Sequence, residues 1–442
     1  MHELAHEFTS RKISPWGGIK YFQQTYEKTG LNECMKGLVI PQPRSNRGYE
    51  ATDLIEGFMT SVVLGSKRLE HTGMLRSDEV IRQIYGWKKG MASASTFSRF
   101  FAKFDVELNN EIFPPMMKHL FDQIEIKQMT VDIDSTVITR YGTQEEARKG
   151  YNPQKKNRAS HHPLMAFCDE LKMVVNAWMR SGNSHSLTQC DEFLEETIRI
   201  VGEGRIGLFR GDVGFYSDKI MRLLEQREQP IDYIFRAKMT GPVKNELVRR
   251  SRWYSNDDVI AGSCYREIKY QAAKWEKPRR MILVRIPDNH KKSNQGELFE
   301  EYSNLSKYRY CAYVTSSTLP AVTIHLLYTK RADAENRIKE LKYDYGIDGF
   351  ALQAFGAMEA AFRFTMVAFN IMALFKQAIM TSPKHHRLST IRFQCIAIGS
   401  YLARSGRKTV MKLSAEGKRR HFLQHFFDNL ELLKPPYLIS IA

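Results

Sequence analysis

Between residues 123 and 240 the chain alternates β-branched runs with amphipathic stretches, and that order restricts the fold to a mixed sheet covered by helices. MTVDIDSTVITR, beginning at Met129, is β-branched with partial alternation, and HPLMAFCDELKMVVNAWM predicts two strands joined by a tight turn at Asp169 and Glu170. The helix CDEFLEETIRIV, the strand RIGLFRGD, a helix from about Ser217 to Gln226 and the strand IDYIFRAK follow. Functional residues in such sheets gather at the carboxyl ends of strands.

The flanks read differently. Residues 1–122 are helical in pattern, with apolar residues three and four apart in DLIEGFMTSVVLG and SDEVIRQIYGW and with Ser77 as the expected N-cap. KKGMASASTFSRFFAKF, around Gly90, reads either as the second half of a helix-turn-helix entering DNA or as a helix packing Phe97, Phe100, Phe101 and Phe104 into a core. Residues 241–320 form a strand-rich insertion: two strands around a polar turn holding Trp275 and Pro278, a surface loop at 288–304, and the strand YRYCAYVTSS. Residues 321–350 return to the core as a helix, and 351–442 are expected to be helical, with KHHRL and ARSGRKTVMKL as basic surface segments. The apolar stretch Phe350 to Met380 contains Gln353, Glu359, Arg363 and Lys376, so it predicts a buried helix or helix pair rather than a membrane span. No repeat of solenoid length recurs.

Charge narrows the partner. Against 49 Asp+Glu stand 66 Lys+Arg, a formal net charge of +17 spread from Lys12 to Lys434. Such a field favours a polyanion, most often nucleic acid. The six cysteines are isolated, which argues against zinc fingers and a disulfide framework and for reduced, cytoplasmic thiols. MHELAHEFTS has no apolar segment of the kind a signal peptide needs, so a cytoplasmic, nucleoid-associated protein is expected.

Chemistry concentrates in LLYTKRADAENRIKELKYDYG. Tyr328, Arg331, Glu335 and Lys342 lie at offsets of 0, 3, 7 and 14, which on one helix face a single surface. Two bases and a phenol there grip phosphate while a carboxylate is offered to a metal. Two further acids end strands: Asp134 in VDIDST and Asp212 in LFRGDVGF. Three hard oxygen donors suit Mg²⁺ or Mn²⁺, and two ions about 4 Å apart would serve both oxygens of an in-line phosphodiester displacement. Asp132 is a rival for Asp134, although the DST run marks the strand end at Asp134. Taken alone, Arg331 and Glu335 read as an i,i+4 surface pair worth about 0.3–0.5 kcal/mol.

At every position and spacing, Tyr328, Arg331, Glu335 and Lys342 resemble the Tyr-Arg-Glu-Lys signature of bacterial insertion-sequence transposases with an RNase H-like DDE domain. The segments DSTVITRYG, KGYNPQKKNRASHHPLMAF and FRGDVGFYS are similar to the same group, and the whole chain resembles its insertion-sequence-four-like superfamily, thirteen-eighty branch. The resemblance implies an α/β fold with an RNase H-like core and a strand-rich insertion, flanked by a helical N-terminal DNA-binding region and a helical C-terminal region. It implies Asp134, Asp212 and Glu335 as metal ligands, with Arg331 and Lys342 on DNA phosphates and Tyr328 against DNA near the element end. It further implies double-stranded DNA as partner, both element ends and target, and a homodimer when DNA is bound. An aromatic of the insertion holds a flipped base in some relatives; Trp275 is the candidate and Trp253 the rival. The loop carrying Arg148, Lys149, Lys155, Lys156 and Arg158 with Tyr151 reads equally as a track for DNA or as a solvated surface, and His161, His162 and His185 as contact or structural groups. The function expected is metal-dependent cleavage and strand transfer of DNA; the alternative is a non-catalytic repressor using the same basic surface.

Overall fold

The computed structural model describes residues 5–43, 48–249, 252–255, 261–287, 308–379 and 386–438, so the loop expected at 288–304 and Lys384 and His385 of KHHRL lie outside the described residues. A short strand, β1 (Ile13–Ser14), precedes the helices α1 (Ile19–Lys28), α2 (Leu31–Lys36), α3 (Ala51–Val63), α4 (Glu79–Tyr85), α5 (Ala94–Phe101) and α6 (Val106–Asp122). Three of these begin on side-chain caps: Asp78 accepts from the Ile81 amide at 3.0 Å, Ser93 from Thr96 at 3.2 Å and Asp105 from Leu108 at 2.8 Å. The cap of α4 is thus Asp78, one residue past the expected Ser77, because its carboxylate reaches the free amide. Phe97, Phe100, Phe101 and Phe104 are all buried, so the aromatic side of α5 is core.

The strands and helices that follow are β2 (Ile124–Glu125), β3 (Met129–Ser135), β4 (Ile138–Thr139), β5 (Arg148–Lys149), β6 (Ala159–His161), β7 (Leu164–Cys168), β8 (Met173–Trp178), α7 (Cys190–Val201), β9 (Ile206–Gly211), α8 (Asp218–Glu225) and β10 (Asp232–Arg236). After α9 (Gly241–Val248) come β11 (Tyr254–Ser255), β12 (Cys264–Tyr270), β13 (Arg279–Pro287) and β14 (Tyr308–Thr315). Nine of these strands share one mixed sheet in the order β11-β12-β13-β14-β10-β9-β3-β7-β8. The pairs β3/β9 and β9/β10 are parallel and the other neighbours antiparallel. The strand-rich segment therefore extends the sheet outward from β10 through β14. Every residue of β7 is buried, as expected where both faces of a sheet are covered.

The chain then runs through α10 (Ala321–Thr329), α11 (Ala332–Tyr343), α12 (Phe355–Ile379) and α13 (Leu388–Ile391). Helix α12 is long and apolar enough to cross a membrane, yet its most apolar window is wholly buried against α3, α6 and β8. Its charges are paired inside the fold: Glu359 with Arg363 at 2.8 Å, and Lys376 with Glu340 of α11 at 2.8 Å. The C-terminal region departs from the helical expectation. β15 (Ser400–Ser405) and β16 (Lys408–Leu413) form a hairpin paired with β1, before α14 (Gly417–Leu432) and β17 (Tyr437–Leu438). Its two-residue turn is permitted by Gly406 at φ +62°, and Thr409 and Val410 supply the β-branched residues that follow.

Candidate functional site

β3 and β9 are neighbouring parallel strands whose register pairs Asp132 with Arg210 and Ile133 with Gly211. The next residue on each strand is an acid, so Asp134 and Asp212 emerge side by side at the carboxyl ends. Their backbones hold them differently. Asp134 accepts from the Ser135 amide at 2.8 Å, while Asp212 caps a short 3₁₀ turn by accepting from the Gly214 amide at 2.8 Å. A side chain at residue 214 would meet Ser186 Oγ at 2.9 Å and Asp212 Oδ1 at 3.0 Å, so glycine is what lets this turn close on the carboxylate.

The predicted helix stripe is two helices, not one. α10 ends at Thr329 and α11 starts at Ala332, and between them the amides of Arg331, Asp333 and Ala334 bond three residues back, to Tyr328, Lys330 and Arg331. This tightening brings residues three apart into line, which keeps Tyr328 and Arg331 on one side of the break. Arg331 is buried, and its guanidinium lies 3.0 Å from Asp134 Oδ2 and 3.7 Å from Glu335 Oε1. One arginine therefore bridges the first and third of the three expected carboxylates. The exposed i,i+4 pair is present geometrically, but its arginine is not a surface group.

Burial pushes the Asp134 carboxyl up to about 6; Arg331 pulls it down, and the carboxylates of Asp212 and Glu335 push it further up. For Arg331 burial opposes the charge, but Asp134, Tyr328 and Asp212 outweigh it and hold the guanidinium above its ordinary value. Tyr328, half-buried against Tyr313 with ring centroids 4.6 Å apart, is pushed up to about 12 by burial. Lys342 donates to the Val137 carbonyl at 2.9 Å and is lowered by burial. All six groups lie within one electrostatic neighbourhood.

A divalent cation can be tested against these donors. A buried aspartate pushed up to about 6 by burial, with the carboxylates of Asp212 and Glu335 adding to it, is one whose charge a cation would favour, and carboxylate oxygen is the donor that Mg²⁺ and Mn²⁺ prefer. Among the described residues no three acidic, histidine or cysteine side chains converge closely enough to hold one. The guanidinium of Arg331 stands on Asp134, and Glu335, whose side chain is 58% exposed, points its charge toward the same arginine. Arg331 Nε, also buried, has no hydrogen-bond partner among the described residues. Carboxylate oxygen is the right donor chemistry for such an ion, but the three acids do not converge on one point; the buried Nε of Arg331, without a partner among the described residues, has the chemistry to meet a phosphate oxygen.

Beneath this cluster lies a second one that sequence reasoning missed. Arg210 forks onto both oxygens of Asp132 at 2.6 and 2.8 Å, reaches Asp169 Oδ2 at 2.9 Å and donates to the Leu327 carbonyl in α10. Arg337 of α11 and Lys172 hold the other oxygen of Asp169 at 3.0 and 2.8 Å. The Arg210 and Asp132 side chains are fully buried. Asp132 is thus consumed by the scaffold. The available signal was its spacing: Asp132 and Arg210 each lie two residues before a strand-end acid, on the same strand face.

Trp275 is not presented to solvent. It is buried between Tyr216 and Tyr270, with the Arg279 guanidinium 5.2 Å above its ring. Three bases around it are paired from α8 and β12: Arg279 with Asp218 and Glu225, Lys277 with Glu225, and Arg280 with Glu267. Trp253 is half-buried between Arg266 and Arg285. His161 bonds Arg140 and the Glu145 carbonyl and is pushed down to about 4 by burial; His162 bonds the Ser184 carbonyl and is also lowered by burial, and exposed His185 bonds the Leu187 amide. The basic loop forms a flap on the small sheet β4-β6-β5, with Tyr151 and Tyr141 75% and 73% exposed and Arg158 over the Tyr141 ring. The Lys342 bond to Val137 ties this flap to α11.

A family model described as Transposase DDE domain group 1 matches residues 2–435. The chain belongs to that transposase family. Its DDE-type domain is consistent with three acids contributed from two strand ends and a helix. A comparison with curated proteins found no match. Among solved structures the chain is similar to piggyBac transposase in its synaptic complex with hairpin DNA, with 11% identity, a TM-score of 0.44, and coverage of 87% of this chain and 81% of that one.

Proposed function

We propose that this transposase-family chain binds the ends of an insertion sequence and performs metal-dependent cleavage and strand transfer of DNA, in the thirteen-eighty branch of the insertion-sequence-four-like superfamily. The observation that carries the reading is that Asp134 and Asp212 directly follow the paired residues Ile133 and Gly211 on adjacent parallel strands, with Arg331 linking Asp134 to Glu335. The sheet portion β8-β7-β3-β9-β10, with those acids at its carboxyl edge, supports an RNase H-like core. Asp134, Asp212 and Glu335 would hold Mg²⁺ or Mn²⁺, in a pair, and the bound ions supply Lewis-acid activation of the attacking and leaving oxygens. Arg331 then passes from Asp134 to a DNA phosphate, for which its planar fork is suited. Lys342 steadies the flap at Val137 and adds positive charge beside the same strand end, and Tyr328 forms part of the wall. DNA pairing by a homodimer, and residence in the cytoplasm at the nucleoid, belong to the same proposal.

The test uses DNA carrying the element's own termini. Wild-type protein nicks the ends and joins the freed 3′-hydroxyl in Mg²⁺ or Mn²⁺ but not in EDTA, and Glu335→Gln, a substitution at an exposed side chain, slows cleavage by at least about 10²–10³-fold while end binding persists. Wild-type rates in Glu335→Gln would sink the assignment. Binding with no metal-dependent cleavage by the wild type would favour a repressor.

A further inference from the structure

The DDE cluster and its flap leave one strongly charged surface unused. Residues 404–420 contain seven Lys or Arg and a single acid, Glu416, which is a net of +6 within a chain of net +17. Arg404, Arg407, Lys408, Lys412, Lys418 and Arg420 are all exposed and, among the described residues, form no ion pair and no side-chain hydrogen bond. Several exposed bases elsewhere are matched, as in Lys36 with Glu33, Lys88 with Glu50, Lys118 with Asp122 and Lys219 with Asp191, whereas Lys149, Lys155 and Lys156 of the flap, like the hairpin bases, form no ion pair among the described residues. The contrast lies in the surroundings, because six unneutralised cations on one short stretch repel one another unless an anion covers them.

The stretch is built to be presented. The base of the β15-β16 hairpin is held by β1 and by the Ser400 hydroxyl, which donates to the Ser14 carbonyl at 3.1 Å. Ser14 in turn donates to Asp78, the cap of α4, at 2.6 Å. Beyond the hairpin, α14 is docked through buried Leu423, Phe426 and Leu430. The tip from Arg404 to Lys408 is exposed throughout. Cross-strand pairing sets Lys412 beside Tyr401 and Lys408 beside Ser405, which puts both lysines on one face of the ribbon, and Arg11 of the N-terminal segment lies 4.9 Å from the Tyr401 ring on that face.

We infer that the β15-β16 hairpin and the start of α14 form a docking surface for the phosphate backbone of double-stranded DNA, separate from the carboxylate site. The inference rests on the reading of the chain as a DNA-handling protein. Charge complementarity selects a polyanion. Residues 404–420, where the cations lie, contain no aromatic side chain, and the Tyr401 ring on the lysine face is taken by Arg11, so these cations meet phosphates rather than flank an open stacking platform; that favours a duplex, held by its phosphates, over a single strand. The segment packs on α4, so this grip adjoins the N-terminal helices rather than the flap.

The test is binding of a short labelled duplex in EDTA across a salt series, comparing the wild type with R404Q/R407Q/K408Q/K412Q. The slope of log affinity against log salt becomes shallower by about three to four, and affinity at low salt falls at least about tenfold. A charge-matched variant at paired sites, K36Q/K88Q/K118Q/K219Q, keeps the wild-type slope. Equal slopes for the wild type and the hairpin variant overturn the inference, as do equal losses in both variants, or a loss confined to single-stranded DNA. Thermal unfolding checks that the hairpin variant folds; if it does not, Arg407→Gln at the exposed turn takes its place, with a slope change of about one. Failure of the wild type to bind a duplex would overturn this inference along with DNA handling itself. The expected slope change without metal-dependent cleavage would leave the hairpin standing and remove only the catalytic reading.

Discussion

Two acid–arginine clusters occupy the same two strands, two residues apart, and differ in how completely they are satisfied. In the lower one both oxygens of Asp132 and both of Asp169 accept bonds from Arg210, Arg337 or Lys172, and among the described residues Arg337 Nη1 alone lacks a partner. In the upper one Arg331 touches Asp134 closely and Glu335 only at 3.7 Å, Arg331 Nε is unpaired, and Glu335 is largely exposed. Every carboxylate oxygen of the lower cluster already accepts a bond, so none stands open to a cation. It ties β3 and β9 to the carbonyl end of α10 and to α11, which is how the upper cluster comes to sit where two strand ends meet a helix break. Saturated charge is scaffold; unsaturated charge at a strand end is available for chemistry.

The largest expected effect lies in the scaffold. Asp132→Ala leaves Arg210 buried without its main partner and should cost about 3–5 kcal/mol in urea unfolding. Replacing the pair together, D132L/R210M, should recover most of that, since well-packed apolar side chains often match a buried ion pair. The recovered protein should still cleave slowly, because the Leu327 carbonyl has lost its donor. A cost under about 1 kcal/mol for Asp132→Ala would erase the distinction between the clusters.

The upper cluster predicts the opposite sign. Burial lifts the Asp134 carboxyl from 3.8 to about 6, so the folded protein holds that proton more tightly than the unfolded chain. The stability this contributes is fully present below the unfolded value and is lost as pH rises through about 6. Asp134→Asn removes the titration. Relative to wild type, the variant should therefore gain about 1–3 kcal/mol between pH about 4 and pH about 8. Paired denaturation curves at the two pH values measure it, and a gap that does not change with pH would mean that burial does not hold the Asp134 carboxyl above its ordinary value. Added Mg²⁺ should narrow the gap at the higher pH by stabilising only the wild type.

Much of this was legible in the chain because strands and acids carry local signals. The order of β3, β7, β8, β9 and β10 follows from β-branched runs and turn residues, and Asp134 and Asp212 were marked by the small or turn-forming residues after them. What was not legible depended on partners distant in sequence. The helix break at Lys330 and Arg331 contains neither glycine nor proline, and it coincides with Arg331 turning inward onto Asp134, a contact between residues 197 positions apart in the chain. Trp275 looked like a base platform because its neighbours are basic, but Asp218, Glu225 and Glu267 neutralise them from other elements. The C-terminal hairpin was hidden because its signal, Gly406 and a β-branched pair, is short and its first partner strand is two residues long.

The smallest expected effect separates Trp275, the ring expected from the sequence to hold an unpaired base, from Tyr151, a ring that the structure exposes on the basic flap. Trp275 has its ring faces taken by Tyr216, Tyr270 and Arg279, whereas Tyr151 is 75% exposed on a flap whose Lys149, Lys155 and Lys156 have no ion-pair partner among the described residues. An exposed ring among free cations is the arrangement that stacks on single-stranded DNA. Tyr151→Ala should leave the unfolding midpoint unchanged, since so little of the side chain is packed, and should weaken binding to a single-stranded oligonucleotide by about five- to tenfold. Trp275→Phe should do the reverse, lowering the midpoint with no change in that affinity, because shrinking a buried ring loses packing rather than a contact surface. If Trp275→Phe alone weakened single-strand binding, the turn at 271–278 would have to open on DNA, and the contrast between a neutralised buried turn and an unneutralised exposed flap would no longer predict where the strand lies.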